Sequence, residues 1–127
     1  THARVGILPG WGLSQKLSRI IGINRAREMS LTGNFIDAVR AEAWGLVNRV
    51  CTADSLLDEA LASAAQIADA DPKAVFALKA LMNDGVKETL GDALVLEGER
   101  GNAFAKTVDY SQMSARLAAL RQRAAKQ

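Results

Sequence analysis

The chain has 127 residues, 49% hydrophobic and 24% charged, which is typical of one globular domain large enough to bury a core. Sixteen basic and fourteen acidic residues give a net charge of +2, which is too balanced to indicate a nucleic-acid-binding protein. The single cysteine, Cys51, excludes an intrachain disulfide and a cysteine-based metal site, so we expect a reducing, cytoplasmic compartment.

No targeting or membrane signal is visible in the sequence. Residues 1–10 lack the basic and apolar regions of a signal peptide, and no run approaches the roughly 18 apolar residues of a membrane helix. The chain starts at Thr1, directly before a strand-like run and without a methionine. We therefore expect it to be a piece of a longer protein.

A turn at residues 9–12 separates a short strand-like run from the first predicted helix. Residues 3–8 are apolar enough for a strand, and the two glycines of the turn permit backbone angles closed to other residues. Beyond the turn, apolar residues recur at helical spacing as far as Gly22, and we predict Lys16 and Arg19 on the opposite face. The apolar positions are Leu13, Leu17, Ile20 and Ile21.

Two more helices and a second strand-like run are predicted next. One helix covers residues 24–31, and Gly33 follows its C-terminal end. Asp37 is placed to cap a short helix that ends at Trp44. Residues 47–50 resemble a brief strand, and since isolated short strands need neighbours, the sequence predicts that pairing strands lie outside this chain.

Helices are predicted throughout the second half of the chain. The first covers residues 56–68, where small and apolar residues form one stripe. Asp71 is an N-cap residue and Pro72 takes the first helical position, where a missing N–H costs no hydrogen bond. This helix is predicted to end at Gly85.

The last two predicted helices indicate a helical partner. Residues 87–108 have a helical pattern weakened by three glycines, each of which costs about 1 kcal/mol relative to alanine inside a helix. Either a partner packs closely against them or the helix is broken. The final helix has a narrow apolar seam that suits another helix. The glycines are Gly91, Gly98 and Gly101, and the seam residues are Met113, Leu117, Leu120 and Ala124.

Four motifs occur in order between residues 3 and 83. They are ILPGWGLSQKL at 7–17, EMSLTG at 28–33, IDAVRAEAWGLVNRV at 36–50 and DPKAVFALK at 71–79. In this order and at these separations they resemble the crotonase superfamily, the enoyl-CoA hydratase/isomerase family, in its C-terminal half only. The likeness is loosest after Thr89.

The resemblance implies a mainly α fold with short β remnants, the C-terminal portion of a ClpP/crotonase-like α/β spiral with a helical oligomerisation region. Residues 1–52 are similar to the tail of the spiral core. Residues 53–127 are similar to the C-terminal helices that mediate trimer packing in the family.

The resemblance also implies a site for hydrating an enoyl thioester. Crotonases hold the thioester oxygen with two backbone N–H groups, and hydratases add two glutamates. The Gly10 position matches the glycine whose N–H helps to hold the attacking water, and one glutamate belongs eight residues earlier, where this chain has His2. An imidazole can serve as a general acid or base near neutral pH, so we predict His2 and Gly10 as catalytic residues. His2 as a structural replacement in a relative with a lost or changed reaction remains open.

Further residues are predicted to bind substrate. The implied substrate-binding residues are Leu8, Pro9, Trp11, Leu13 and Lys79. Trp11 either narrows the acyl pocket or fills the core. Gly10 contacts the ligand, serves as a turn glycine with positive φ, or does both. The candidates for the CoA phosphates are Lys79, Arg121, Arg123 and Lys126, although long charged side chains usually just solvate a helix face.

The predicted function is that of an enoyl-CoA hydratase-like enzyme acting on acyl-CoA, with the chain alone expected to be inactive. The resemblance implies a trimer or hexamer for the full-length protein and no cofactor apart from the CoA of the substrate. We expect no metal, and the charge balance and the lack of a long apolar run predict no nucleic-acid or membrane partner. Two alternatives remain open. One is a crotonase-fold isomerase, hydrolase or decarboxylase with altered acid–base groups, and the other is a non-catalytic helical oligomerisation module.

Overall fold

The computed structural model describes residues 1–124 and consists of helices joined by short connections. A 3₁₀ turn at Ala3–Val5 comes first. The helices are α1 (Leu13–Ile21), α2 (Ile23–Thr32), α3 (Ala38–Ala43), α4 (Leu56–Ala68), α5 (Pro72–Gly85), α6 (Leu90–Ala105) and α7 (Tyr110–Ala124). The predicted class, mainly α, is confirmed.

The helix ends lie where local sequence signals predict them. The Asp37 carboxylate accepts a hydrogen bond from the Arg40 N–H (2.7 Å), and that of Asp71 accepts one from Ala74 (3.0 Å). These bonds satisfy N–H groups that have no partner inside the helix. At the end of α2, Gly33 takes φ +61°, and its N–H donates to the Met29 carbonyl oxygen (3.0 Å).

Neither predicted strand is formed within residues 1–124, so these two details of the prediction are wrong. Residues 3–5 form the 3₁₀ turn and residues 47–50 have no regular structure. A strand needs a neighbouring strand to pair its N–H and C=O groups, and the described part of the chain supplies none. In the first segment the backbone instead bonds locally, with the Ile7 N–H donating to the His2 carbonyl oxygen (3.1 Å).

The chain divides into two compact units, Thr1–Leu61 and a second from Ala62 onward. The predicted boundary at residue 52 is nine residues earlier and stays a prediction about family organisation. The first unit contains the hydrophobic side chains that are buried in the described residues, and α1 and α2 pack together there. They are Leu17, Ile21, Ala26 and Ala41, and half-buried Met29, Trp44 and Leu46 pack against the first three.

In the second unit α5 packs against α6, and an ion-pair network joins them. The Asp84 carboxylate contacts Lys87 (2.9 Å) and Arg100 (2.8 Å). These hydrogen bonds, first from Lys87 and then from Arg100, hold the pKa of Asp84 below its usual value. Arg116 of α7 pairs with Asp71 at the start of α5 (3.3 Å). Arg100 thus has an acidic partner on a neighbouring helix.

Helix α6 is continuous through its three glycines, so the broken-helix alternative is wrong. A Cβ atom at Gly98 or Gly101 would meet nothing within 4 Å. Within residues 1–124, therefore, no neighbour packs against these two positions. None of the helices within residues 1–124 is both long and apolar enough to cross a bilayer.

Candidate functional site

An apolar cleft of about 530 Å³ lies in the first unit, beside the turn that precedes α1. Five of the seven predicted site residues line it, although they come from both sides of the turn. The others on its wall are mainly apolar and come from the segment before the turn, from α1 and from the connection after α3. The five predicted residues are His2, Leu8, Gly10, Trp11 and Leu13. The structure thus brings most of the predicted site together in a cleft that suits an apolar group.

The turn at residues 10–13 shapes this cleft. The Leu13 N–H donates to the Gly10 carbonyl oxygen (3.2 Å). The two residues between them, Trp11 and Gly12, have φ +54° and +80°. Positive φ at both central positions is the pattern of a type I′ turn. For a tryptophan this conformation costs about 1–2 kcal/mol, so the turn presents the indole at the expense of backbone strain.

Gly10 lines the cleft without being required by the backbone. Positive φ occurs at the next two residues and not at Gly10, so the prediction of a positive-φ glycine at this position is wrong. A Cβ atom here would meet no atom within 4 Å. Within the described residues the Gly10 N–H makes no hydrogen bond with the backbone, which leaves it available to a ligand.

His2 is half-buried in the wall of the cleft and precedes the 3₁₀ turn. Its carbonyl oxygen accepts from Ile7, whereas its imidazole makes no hydrogen bond inside residues 1–124. Both ring nitrogens are therefore available to a ligand or a water molecule. Whether His2 replaces the family glutamate in catalysis stays a prediction.

Trp11 is fully exposed, with a relative accessible surface of 101%. It fills no core in the described part of the chain, so the core-filling alternative is wrong for this structure. The indole instead lines the cleft together with Leu13, which is 37% exposed. This placement suits the alternative in which the indole narrows an acyl pocket.

Lys16 lines the cleft too, contrary to its predicted place on the opposite face of α1. Positions 13, 16, 17 and 20 have the i, i+3, i+4, i+7 spacing of one helix face, so helical periodicity places Lys16 on the same face as the apolar residues. Its stem lies over the start of the helix, since a Cβ at Gly12 would be 3.3 Å from the Lys16 Cε. The polarity of Lys16 alone predicts the wrong face of the helix, because its long stem reaches the cleft.

The remaining predicted residues are not brought into the cleft. Half-buried Pro9 does not line it, and exposed Lys79 lies on α5 in the second unit. Arg121 is exposed on α7. The side chain of Arg123 and all of Lys126 lie outside the described residues.

Arg4 anchors the segment that carries His2, a role with no signal in the predicted motifs. Its guanidinium donates to the Thr32 carbonyl oxygen (2.6 Å) and to the Asn34 side-chain oxygen (2.6 Å). Its stem lies against Gly33, where a Cβ would come within 2.9 Å of the Arg4 Cγ. A cation at the C-terminal end of α2 is also favoured by the helix dipole.

The described residues contain no group of three histidine, cysteine or acidic side chains placed to hold a metal ion. The cleft thus offers Gly10, His2, the Lys16 ammonium group and an apolar wall. They provide a hydrogen-bond donor, an imidazole, a cation and an apolar surface.

A family model described as enoyl-CoA hydratase/isomerase matches residues 1–114. The chain belongs to the enoyl-CoA hydratase/isomerase family. Among its relatives in this family is a probable peroxisomal enoyl-CoA hydratase 1 from Arabidopsis thaliana, 49% identical over 104 residues. That match covers 82% of this chain and 39% of the relative.

Two further members of the enoyl-CoA hydratase/isomerase family extend the comparison. A mitochondrial Delta(3,5)-Delta(2,4)-dienoyl-CoA isomerase from Dictyostelium discoideum is 35% identical over 112 residues, 87% of this chain and 38% of its own length. The crystal structure of an enoyl-CoA hydratase from Bacillus anthracis superposes with a TM-score of 0.85 at 32% identity. The superposition covers 97% of this chain and 46% of the Bacillus anthracis chain. The chain therefore spans less than half the length of these relatives.

Proposed function

We propose that this chain supplies part of the acyl site of an enoyl-CoA hydratase-like enzyme, which adds water to a 2-enoyl-CoA thioester. The observation that carries the proposal is the apolar cleft in which His2 and Gly10 lie together with Trp11. Membership of the family supports an acyl-CoA substrate. No cofactor is proposed beyond the CoA of the substrate itself.

Each group has a defined part in the proposed reaction. As water adds to the double bond, charge moves to the thioester oxygen and forms an enolate, which hydrogen-bond donors stabilise. The Gly10 N–H is the donor or water-holding group that this chain contributes. The His2 imidazole exchanges a proton with water or with the α-carbon. The second oxyanion donor and the other acid–base group are proposed to come from outside residues 1–127, since the relatives are more than twice as long.

Replacing His2 with alanine in the longer enzyme tests the proposal. A lost general acid–base group is expected to lower kcat for hydration by about 100-fold or more. Thr1→Ala is the matched control, because Thr1 is the adjacent residue, is exposed and does not line the cleft. Unchanged turnover in the His2 variant would remove His2 from the mechanism.

A second reaction class is supported by the histidine itself. Since an imidazole stands where hydratases have a glutamate, the same oxyanion site is compatible with isomerisation, thioester hydrolysis or decarboxylation. The likeness to the dienoyl-CoA isomerase supports isomerisation among these. Analysing the products formed from a 2-enoyl-CoA and a 3-enoyl-CoA separates the classes, because hydration yields a hydroxyacyl product and isomerisation moves the double bond.

A non-catalytic role as a helical oligomerisation module is the third candidate. The α7 seam supports it, since Met113, Leu117 and Leu120 are 39%, 44% and 56% exposed. We propose that residues 53–127 mediate assembly into a trimer or hexamer, while residues 1–52 form the tail of the spiral core. A strictly monomeric protein at high concentration, measured by light scattering, would contradict this assignment.

The cytoplasmic compartment is proposed from the single cysteine alone. The relative from Arabidopsis is named as a peroxisomal protein, and the relative from Dictyostelium as a mitochondrial one. Imaging the tagged intact protein in its own cells tests the proposal.

A further inference from the structure

Two arginines converge on one indole ring in the first unit. The guanidinium carbons of Arg25 and Arg40 lie 5.7 Å and 6.0 Å from the centre of the Trp44 ring. Cation–π attraction acts up to about 6 Å and places each charge beside the ring. The ring itself is held, because half-buried Trp44 packs against the core formed by Leu17 and Ile21.

Neither guanidinium has a counter-charge within residues 1–124. In contrast, Arg49, Arg100 and Arg116 each contact a carboxylate. The guanidinium groups of Arg25 and Arg40 make no ion pair and no hydrogen bond in the same part of the chain, so their guanidinium N–H donors are free.

The acidic residues nearby in sequence do not pair with Arg25 or Arg40. The Asp37 carboxylate caps α3, and that of Glu42 accepts from the Val50 N–H (2.9 Å). Glu28, three residues after Arg25, forms no ion pair in the described residues. Residues 1–50 hold seven basic and three acidic residues, so this part of the chain attracts anions.

We propose that Arg25 and Arg40, held by Trp44, bind a phosphate group. Both guanidinium groups lie within about 6 Å of one ring centre, so they form one patch of positive charge that attracts an anion. The planar fork of a guanidinium matches the geometry of a phosphate and donates two parallel hydrogen bonds. The site is separate from the cleft in its residues and does not depend on the proposed reaction.

Trp44 reports binding directly. The chain has two tryptophans, so Trp11→Phe leaves Trp44 as the only source of indole fluorescence. Titration with inorganic phosphate, at an ionic strength held constant with sodium chloride, is expected to change this fluorescence saturably. A parallel titration with ADP distinguishes the source: tighter binding of ADP indicates a nucleotide-borne phosphate, and equal or weaker binding indicates the free anion.

Three variants test the assignment. Arg25→Gln and Arg40→Gln are each expected to weaken phosphate binding by about tenfold, because a charge-assisted hydrogen-bonding group is lost. Arg27→Gln removes the same charge from the same helix, but two residues along and therefore on another face, so it should change the affinity by less than about twofold. Circular dichroism establishes that each variant keeps its helices.

A further variant separates net charge from geometry. Arg25→Lys keeps the charge but loses the fork, and we expect it to weaken phosphate binding as well. Two results would overturn the proposal. One is the absence of any saturable change with either probe, and the other is an equal loss of affinity in Arg27→Gln and Arg25→Gln.

Discussion

Gly10 and Gly12 lie two residues apart in the turn before α1, and the reason for a glycine differs between the two positions. Gly12 has φ +80°, and a Cβ there would lie 3.3 Å from the Lys16 Cε. Gly10 has no positive φ and has open space where a side chain would begin. The backbone therefore requires glycine at the second position, whereas the ligand cleft is the reason we propose for the first.

Paired alanine substitutions test this difference. Gly12→Ala is expected to lower the free energy of unfolding by about 1–2 kcal/mol, because alanine is strained in the left-handed region. Gly10→Ala should leave stability unchanged or raise it by up to about 1 kcal/mol, since the unfolded chain loses freedom. In the longer enzyme the same Gly10→Ala change should lower the rate of acyl-CoA turnover. Urea unfolding followed by circular dichroism provides the first comparison, and equal destabilisation by both changes would contradict it.

The residues of the cleft could be predicted only where the motif is continuous. His2, Leu8, Gly10, Trp11 and Leu13 are within twelve residues of one another, so one local turn brings them together. Leu46 joins the same cleft from beyond α3, and such a distant contact depends on how the helices pack. Whether the Trp11 side chain is buried could not be predicted either, because the sequence does not show which residues surround it.

Among the elements, helices were predictable and strands were not. The ends of α3 and α5 follow from Asp37 and Asp71, whose carboxylates bond to N–H groups three residues later. Such signals act within a few residues and need no partner. Strands at residues 3–8 and 47–50 would need partners elsewhere in a sheet, which local sequence does not reveal.

The contact between α5 and α6 is expected to depend on pH through Asp84. Its pKa is lowered by Lys87 and Arg100, so its contribution to stability is present above the pKa of the unfolded chain, near 3.8, and is lost as pH falls through the lower folded pKa. Asp84→Asn should therefore lower thermal stability at pH 7, whereas the two proteins should converge in strong acid. Thermal scans across this pH range at low salt measure the effect.

The matched control for Asp84 is Asp58→Asn in the first turn of α4, which removes an exposed acid outside this network. An Asp84 variant as stable as the parent at pH 7 and low salt would show that the network contributes nothing. High salt should reduce the effect, because the charges are exposed and screened.

Two glycines of helix α6 provide a test of how closely that helix is packed. Gly98→Ala and Gly101→Ala are each expected to stabilise the helix by roughly 0.5–1 kcal/mol, since no neighbour in the described residues blocks a Cβ atom. Ala103→Gly, an exposed position on the same helix, is the opposite control and should destabilise it by a similar amount. Reduced helicity in the alanine variants would contradict the open environment of these glycines.

At the scale of the whole molecule, the two units differ in what they bury. Hydrophobic side chains are buried around Leu17 and Ile21 in the first unit, whereas none is buried among the described residues of the second. Large apolar residues such as Phe76 and Leu90 remain 74% and 77% exposed there. Apolar surface of this kind marks an interaction site, which supports the proposed assembly through the C-terminal helices.

The proposed role of the cleft beside the turn is to receive the acyl group of a CoA thioester. His2 is the only histidine, so its imidazole gives a single set of ring signals in nuclear magnetic resonance spectra of this chain. Butyryl-CoA is expected to shift the His2 ring signals and the Gly10 amide signal saturably, while free CoA shifts them much less. Equal shifts with both ligands, or shifts confined to residues outside the cleft, would contradict it.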